Sequence, residues 1–165
     1  MSGRTDRVSR IQEQWRRERP DLDVSPQGVF GRLHRLAAHL TDELVVVYRK
    51  HGLSEGEFEV LAALRRAGVP FALAPGDLAQ HTMVTTGAMT KRIDQLVEAG
   101  LVTRRAAAED GRRRVVALTA KGRRTIDTAF TEHLANEHRL LEALSVTERR
   151  QLEALLGHWL EAFEG

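Results

Sequence analysis

Apolar residues recur every three to four positions over most of the chain, which predicts a largely helical protein. Residues 4–18 set Val8, Ile11 and Trp15 on one face among arginines. Pro20 ends that helix, because the residue before a proline avoids the helical region. Ser25-Pro26 reads as an N-cap with proline in the first helical position. The long helix it opens runs to about Lys50, with an apolar face through Val29, Phe30, Leu33, Leu36, Leu40, Leu44, Val47 and Tyr48. Gly52 stops it. Ser54 and Glu57 match a capping box for a helix that carries Phe58, Val60, Leu61 and Leu64 and ends near Gly68. Residues 70–74 are a break with room for a short strand. Two short helices follow over about 75–82 and 86–99, joined by a tight turn at Met83-Val84-Thr85. Gly100 stands where a glycine cap closes a helix.

The period then changes. Leu101-Val102-Thr103 and Val115-Val116-Ala117-Leu118 are short β-prone runs, separated by a polar stretch that contains the turn pair Asp110-Gly111. Thr119 caps the next helix, which runs to about Ala143 with Ile126, Phe130, Leu134 and Leu141 on one side. Ser145 and Glu148 form a second capping box. The last helix repeats Leu152, Leu155, Leu156, Trp159, Leu160 and Phe163.

Two short helices, a tight turn and a hairpin make a winged helix-turn-helix. The second helix has to be slim and polar on one face to enter a major groove. Met89, Ile93, Leu96 and Val97 are expected on its buried face. Thr85, Thr86, Thr90 and Lys91 are expected outward, near the end that meets DNA. Threonine hydroxyls bond bases or phosphates, and a helix N-terminus favours phosphate. Asp110, Arg112, Arg113 and Arg114 mark the hairpin tip. Arginines there suit the minor groove, where a narrow duplex has enhanced negative potential, and Asp110 can brace one of them through a charge-assisted hydrogen bond.

Charge sharpens this picture. The net formal charge of the 165-residue chain is only +2. Between Leu101 and Arg124, however, eight basic residues face two acids, so this segment carries +6 and the remainder −4. A local basic stripe is the footprint of a polyanion partner, here double-stranded DNA. Apolar residues make up 42%, enough for a packed core. No cysteine is present, which excludes disulfide scaffolds and thiol chemistry. No apolar run approaches the ~20 residues that span a bilayer, and no apolar stretch follows the charged start, so neither a membrane partner nor a signal peptide is expected. A cytoplasmic location follows. The seven histidines form no His-Glu-x-x-His pattern, and glycine-rich phosphate loops and nucleophile elbows are absent. An enzyme, a metal site and a cofactor are therefore not expected.

Residues Asp110 to Gly122 resemble the wing signature of the MarR regulators: Asp-x-Arg at the tip, a strand, then Leu-Thr-x-x-Gly opening a helix. Leu96 to Arg104 is similar to that family's link from recognition helix to wing. The resemblance covers roughly Leu36 to Leu160. It implies a mostly α protein with a small β-hairpin wing and a dimeric MarR-like architecture, in which the first and last helices form the homodimer interface. The expected organisation is N-terminal helices over 1–52, with dimerisation and a ligand pocket, a winged DNA-binding lobe over 53–119, and C-terminal dimerisation helices over 120–165. The implied function is a transcriptional regulator, by family default a repressor, on a pseudo-palindromic operator. The rival reading is an architectural DNA-binding protein without sequence preference or effector.

The run Ile11 to Arg17 further resembles the added N-terminal helix of a urate-responsive subgroup. That subgroup uses a tryptophan on this helix, an acid on the helix opening the DNA-binding lobe, and two arginines near recognition helix and wing. These fall on Trp15, Glu59, Arg92 and Arg104, with Arg105 the neighbouring alternative. The resemblance implies a small anionic aromatic effector such as urate: an aromatic face stacks on a planar ring and arginines pair with its charge. The subgroup has aspartate where this chain has Glu59, whose longer side chain changes the depth of the pocket.

Overall fold

The computed structural model describes residues 6–82, 86–107 and 114–164, without the side chains of residues 81 and 86–88. The helices are α1 (Arg7–Glu18), α2 (Pro26–Lys50), α3 (Glu55–Arg66), α4 (Pro75–His81), α5 (Thr86–Glu98), α6 (Ala120–Leu140) and α7 (Val146–Glu164). The strands are β1 (Ala72–Leu73), β2 (Val102–Ala106) and β3 (Arg114–Leu118), and a 3₁₀ turn at Leu141–Ala143 ends α6. The chain divides into two compact units, Met1–Glu43 and Leu44–Gly165.

In the first unit, α1 begins at Arg7 rather than residue 4 because Asp6 is its cap: the Asp6 carboxylate accepts from the Ser9 N–H at 2.8 Å. The same carboxylate accepts from Arg32 Nε at 2.8 Å. The Ser9 N–H first, and Arg32 second, hold the Asp6 carboxyl down to about 2. The buried Gln12 amide donates to Val24 O at 2.9 Å, tying α1 to the turn before α2. Gly31 lets α2 approach Val8, whose Cγ1 lies 3.0 Å from where a Cβ would stand.

The core of the second unit is made by α2's last turns, α3, α4, α5, the sheet and α6. Leu61, Leu64, Leu78, Met89, Ile93, Leu96, Val116 and Ile126 are fully buried there. Both capping boxes form: the Ser54 N–H donates to Glu57 at 2.8 Å, and the Ser145 N–H to Glu148 at 2.8 Å. The hairpin is longer than its β-prone runs, and β1 adds a strand to it. The sheet order is β1-β3-β2, antiparallel throughout, with Ala72 opposite Ala117 and Arg104 opposite Val116.

The end of α5 explains how the wing is hung. Gly100 takes φ 68°, open to glycine at little cost. Its N–H donates to Val97 O, and the Leu101 N–H to Leu96 O, both at 2.9 Å, which is a Schellman cap. Thr119 then caps α6 through Gly122 N at 2.9 Å and donates to Gly100 O at 2.8 Å. Lys121 Nζ donates to Ala99 O at 2.8 Å. The start of α6 is thus fastened to the carbonyl end of α5.

An aromatic stack joins α2, α3 and α6. Tyr48 lies on Phe58 with centroids 4.1 Å apart, and its hydroxyl shares a 3.4 Å hydrogen bond with His133 Nδ1. His133 Nε2 sits 3.1 Å from Glu137. Burial first, then the negative charges of Glu59, Glu55 and Glu137, push the Tyr48 phenol up to about 12. Its folded value lies above the ordinary 10, so its contribution to stability is complete below pH 10 and is lost as pH rises towards 12. Tyr48 is the single tyrosine, so absorbance at 295 nm reads it directly. The native protein is expected to form no tyrosinate at pH 10.5, whereas the chain unfolded in guanidinium titrates near the ordinary value. Matching curves would contradict this burial.

Candidate nucleic-acid interface and anion site

Helix α5 has two unlike faces. Met89, Ile93 and Leu96 are buried against α3 and α4, while Thr90 and Lys91 are exposed. Val97, expected inside, is 37% exposed: it lies one position beyond Leu96 and turns off the core face. Thr86 opens α5, and its side chain lies outside the described residues. Thr85, Asp110, Arg112 and Arg113 lie outside them too. Arg114 begins β3 opposite Ala106 and is exposed.

Not all of the basic stripe is free for a polyanion. Arg104 Nη2 pairs with Asp94 of α5 at 2.6 Å. Lys121 is spent on the end of α5. The Arg123 guanidinium lies over the Phe71 ring at 4.8 Å, with Arg65 over the same ring at 5.1 Å. Arg65 also donates to Asp127 at 2.6 Å. Arg65, Phe71 and Arg123 thus join α3, the residue before β1 and α6.

The acid and arginines of the effector reading fall within the second unit. Glu59 is half-buried on α3, and Arg92 is half-buried on α5. Neighbouring strand residues face opposite ways, so Arg104 and Arg105 cannot both turn towards α5. Arg104 is the one that does, through Asp94. Arg92 crosses to α3, where its guanidinium fills the space beside Gly56. Its Nη1 is buried without a hydrogen-bond partner. Trp15 stands on α1 in the first unit and is 44% exposed. A cleft of 560 Å³ between α3 and α6, lined by Ala62, Arg65, Arg66, Ile126, Asp127, Phe130 and Thr131, includes none of these residues.

Sequence reasoning missed three features of this region: Asp94 as the partner of Arg104, Gly56 as the space for Arg92, and buried His133 beside Tyr48. Asp94 alone left a signal, an acid on the exposed face of a helix preceding a basic strand. No group of three or more histidines and acids able to hold a metal occurs among the described residues. No described helix is long and apolar enough to cross a membrane.

Comparison with known proteins accords with this geometry. The MarR family model matches residues 51–113, from the end of α2 to the wing. The HTH-type transcriptional regulator PecS of Dickeya dadantii (strain 3937) is 40% identical over 150 residues, covering 91% of this chain and 90% of PecS. AbsC, a MarR family transcriptional regulator from Streptomyces coelicolor, aligns with a TM-score of 0.77 at 23% identity, over 87% of this chain and 97% of AbsC. A mutant MarR from E. coli, complexed with operator DNA, aligns with a TM-score of 0.69 at 26% identity, over 84% of this chain and 99% of its own. The chain belongs to the MarR family of DNA-binding, helix-turn-helix transcriptional regulators.

Proposed function

We propose that this regulator is a repressor that binds a pseudo-palindromic operator as a homodimer and is released by a small anionic aromatic effector. The observation that carries the DNA reading is the two-faced helix α5, with Thr90 and Lys91 outward over a fully buried Met89, Ile93 and Leu96. Such a helix presents polar groups to a major groove from a rigid core. Thr85, Thr86 and the tip residues Asp110, Arg112, Arg113 and Arg114 complete a grip on two grooves.

The dimer reading is supported by helix α7. None of its residues is buried in the single chain, yet Leu152, Leu155, Leu156, Leu160 and Phe163 are exposed on it. Apolar surface of that extent calls for a partner, and a second copy gives the two-fold symmetry that a palindrome mirrors. The effector reading is supported by Arg92, whose buried Nη1 lacks an acceptor, and by Arg104, which an anion can draw from Asp94. Glu59 and Trp15 complete the ligand set by family resemblance. A ligand that favours a different spacing of the two recognition helices lowers DNA affinity. A 100-fold loss requires about 2.7 kcal/mol of coupling.

The test has two arms. In competition binding, the protein is expected to prefer the DNA upstream of its own gene over random duplex by ~10³-fold or more. Equal affinity would make it an architectural protein. In the second arm, urate is titrated while Trp15 fluorescence and operator release are followed, with Trp15→Phe as control for Trp159. Absence of both quenching and release at saturating urate would remove urate as the effector.

A further inference from the structure

The edge of the winged sheet away from β2 is entered through an unusual residue. Phe71, just before β1, takes φ 57°, and among the described residues no other non-glycine has a positive φ. A left-handed backbone is uncommon for any side chain and an outlier for a bulky one. Such conformations persist only where the surroundings hold them, and they gather where position matters. The holding contacts are all on view. The Phe71 N–H donates to Gly68 O at 2.6 Å, and Phe71 O accepts from the Leu118 N–H of β3 at 3.0 Å. The guanidiniums of Arg65 from α3 and Arg123 from α6 lie over the half-buried ring, 5.1 and 4.8 Å from its centroid. Asp127 faces both of them, at 2.6 Å from Arg65 and 3.8 Å from Arg123. Its charge offsets the repulsion between two cations that share one ring.

The sheet order β1-β3-β2 makes β1 and β2 its two edges. The β2 edge is fastened through the Gly100 cap and Thr119. The β1 edge pairs only Ala72 with Ala117 and Leu73 with Val116, too short a ladder to fix an attitude by itself. We propose that Phe71 is a positioning residue for DNA binding: gripped by Arg65 and Arg123 beside Asp127, it locks the β1 edge to α3 and α6 and so sets the attitude of the β2–β3 hairpin. This role rests on the reading above that the hairpin tip meets DNA. Without the grip the sheet keeps its fold but samples several attitudes. Affinity then falls by the fraction of time spent in the competent one. Asp127 acquires a sign that charge counting reverses. As a plain acid beside a basic stripe it repels DNA, and its removal would tighten binding. As the carboxylate that keeps both arginines on the ring it supports binding, and its removal weakens it.

Phe71→Leu, which keeps apolar bulk without a ring, is compared with Phe71→Tyr, which keeps the ring. Affinity is measured on one duplex, the DNA upstream of the protein's own gene, at a temperature where circular dichroism shows every variant fully folded. A residue that only stabilises the fold leaves affinity unchanged there. Phe71→Leu is expected to bind about tenfold more weakly, Asp127→Ala roughly threefold more weakly, and Phe71→Tyr as wild type. Asp127→Ala leaves ring and backbone in place, so it decides the matter if Phe71→Leu does not fold. The Hδ resonances of Arg65 and Arg123, assigned through Arg65→Lys and Arg123→Lys, report the grip directly, because protons above an aromatic face are shielded. They are expected upfield in wild type and Phe71→Tyr, and at ordinary arginine positions in Phe71→Leu. Unshielded resonances in the wild type overturn the grip. Shielding lost in Phe71→Leu without loss of affinity overturns the positioning role, and so does tighter binding by Asp127→Ala. Arg112→Ala on the same duplex keeps the two readings apart: if it binds as wild type, the hairpin contact falls, and the resonances alone decide the grip.

Discussion

Replacing Gly122 with alanine is expected to lower the thermal unfolding midpoint by roughly 6–12 °C, the scale for about 3 kcal/mol in a domain of this size. The cause is a backbone collision. A Cβ at Gly122 would overlap the carbonyl oxygen of Leu101 and stand 2.8 Å from its carbon. Unlike the arginine beside Gly56, a backbone carbonyl cannot swing aside. That carbonyl also accepts from Thr119 N at 3.0 Å and Thr119 Oγ1 at 3.2 Å. Moving it breaks the fastening between α6 and the α5–β2 corner. Overpacking a well-filled site costs about 1–3 kcal/mol, and loss of these hydrogen bonds puts this case at the upper end. Gly76→Ala, which opens onto free space, is the control and should not fall. Circular dichroism melts decide it, and a midpoint within about 2 °C of wild type would show that this corner yields freely. The glycine of the Leu-Thr-x-x-Gly pattern thereby has a physical reason: it lets α6 start in contact with the carbonyl from which the wing departs.

That reason was not visible in the sequence, where Gly122 and Leu101 are 21 positions apart. Local features were legible because their causes are local. Ser54 with Glu57, Ser145 with Glu148 and Gly100 each fix a helix end through atoms within a few residues. The periodic burial of Met89, Ile93 and Leu96 was legible for the same reason. Features that depend on which elements meet were hidden. The lone strand Ala72–Leu73 is too short to carry a period, and it exists because β3 offers it an edge. His133 carries no pattern that sets it apart from the other six histidines, but the packing of α6 against α3 buries it beside Tyr48. The choice between Arg104 and Arg105 needed the strand's register and the position of Asp94. Counting charges alone overstates the reach of the basic stripe, because Lys121 and Arg123 are held by Ala99, Asp127 and Phe71.

Arg112→Ala is expected to weaken operator binding about 100-fold while leaving the proposed homodimer intact. The antiparallel ladder ends with Ala106 opposite Arg114, and the chain connecting them carries Asp110 and Arg112. The base of that hairpin is fixed by the Gly100 cap and the Thr119 bonds. A tip residue therefore works against a rigid support, and losing it does not loosen the core. An arginine read by DNA contributes about 1–3 kcal/mol. A symmetric dimer loses two at once, and about 1.4 kcal/mol from each copy gives two powers of ten. The same count separates the neighbours. Arg113→Ala and Arg114→Ala, as phosphate contacts, are expected to lower affinity evenly across sequences and to flatten the salt dependence. In the proposed minor-groove role, Arg112→Ala is expected instead to reduce discrimination between A·T-rich and G·C-rich flanks, because an arginine so placed senses minor-groove width. Operator titrations at two salt concentrations distinguish these patterns, and sedimentation reports the dimer. An Arg112→Ala protein that dissociates, unfolds or binds as wild type would remove the minor-groove role. Affinity would then rest on helix α5 and the phosphate contacts alone.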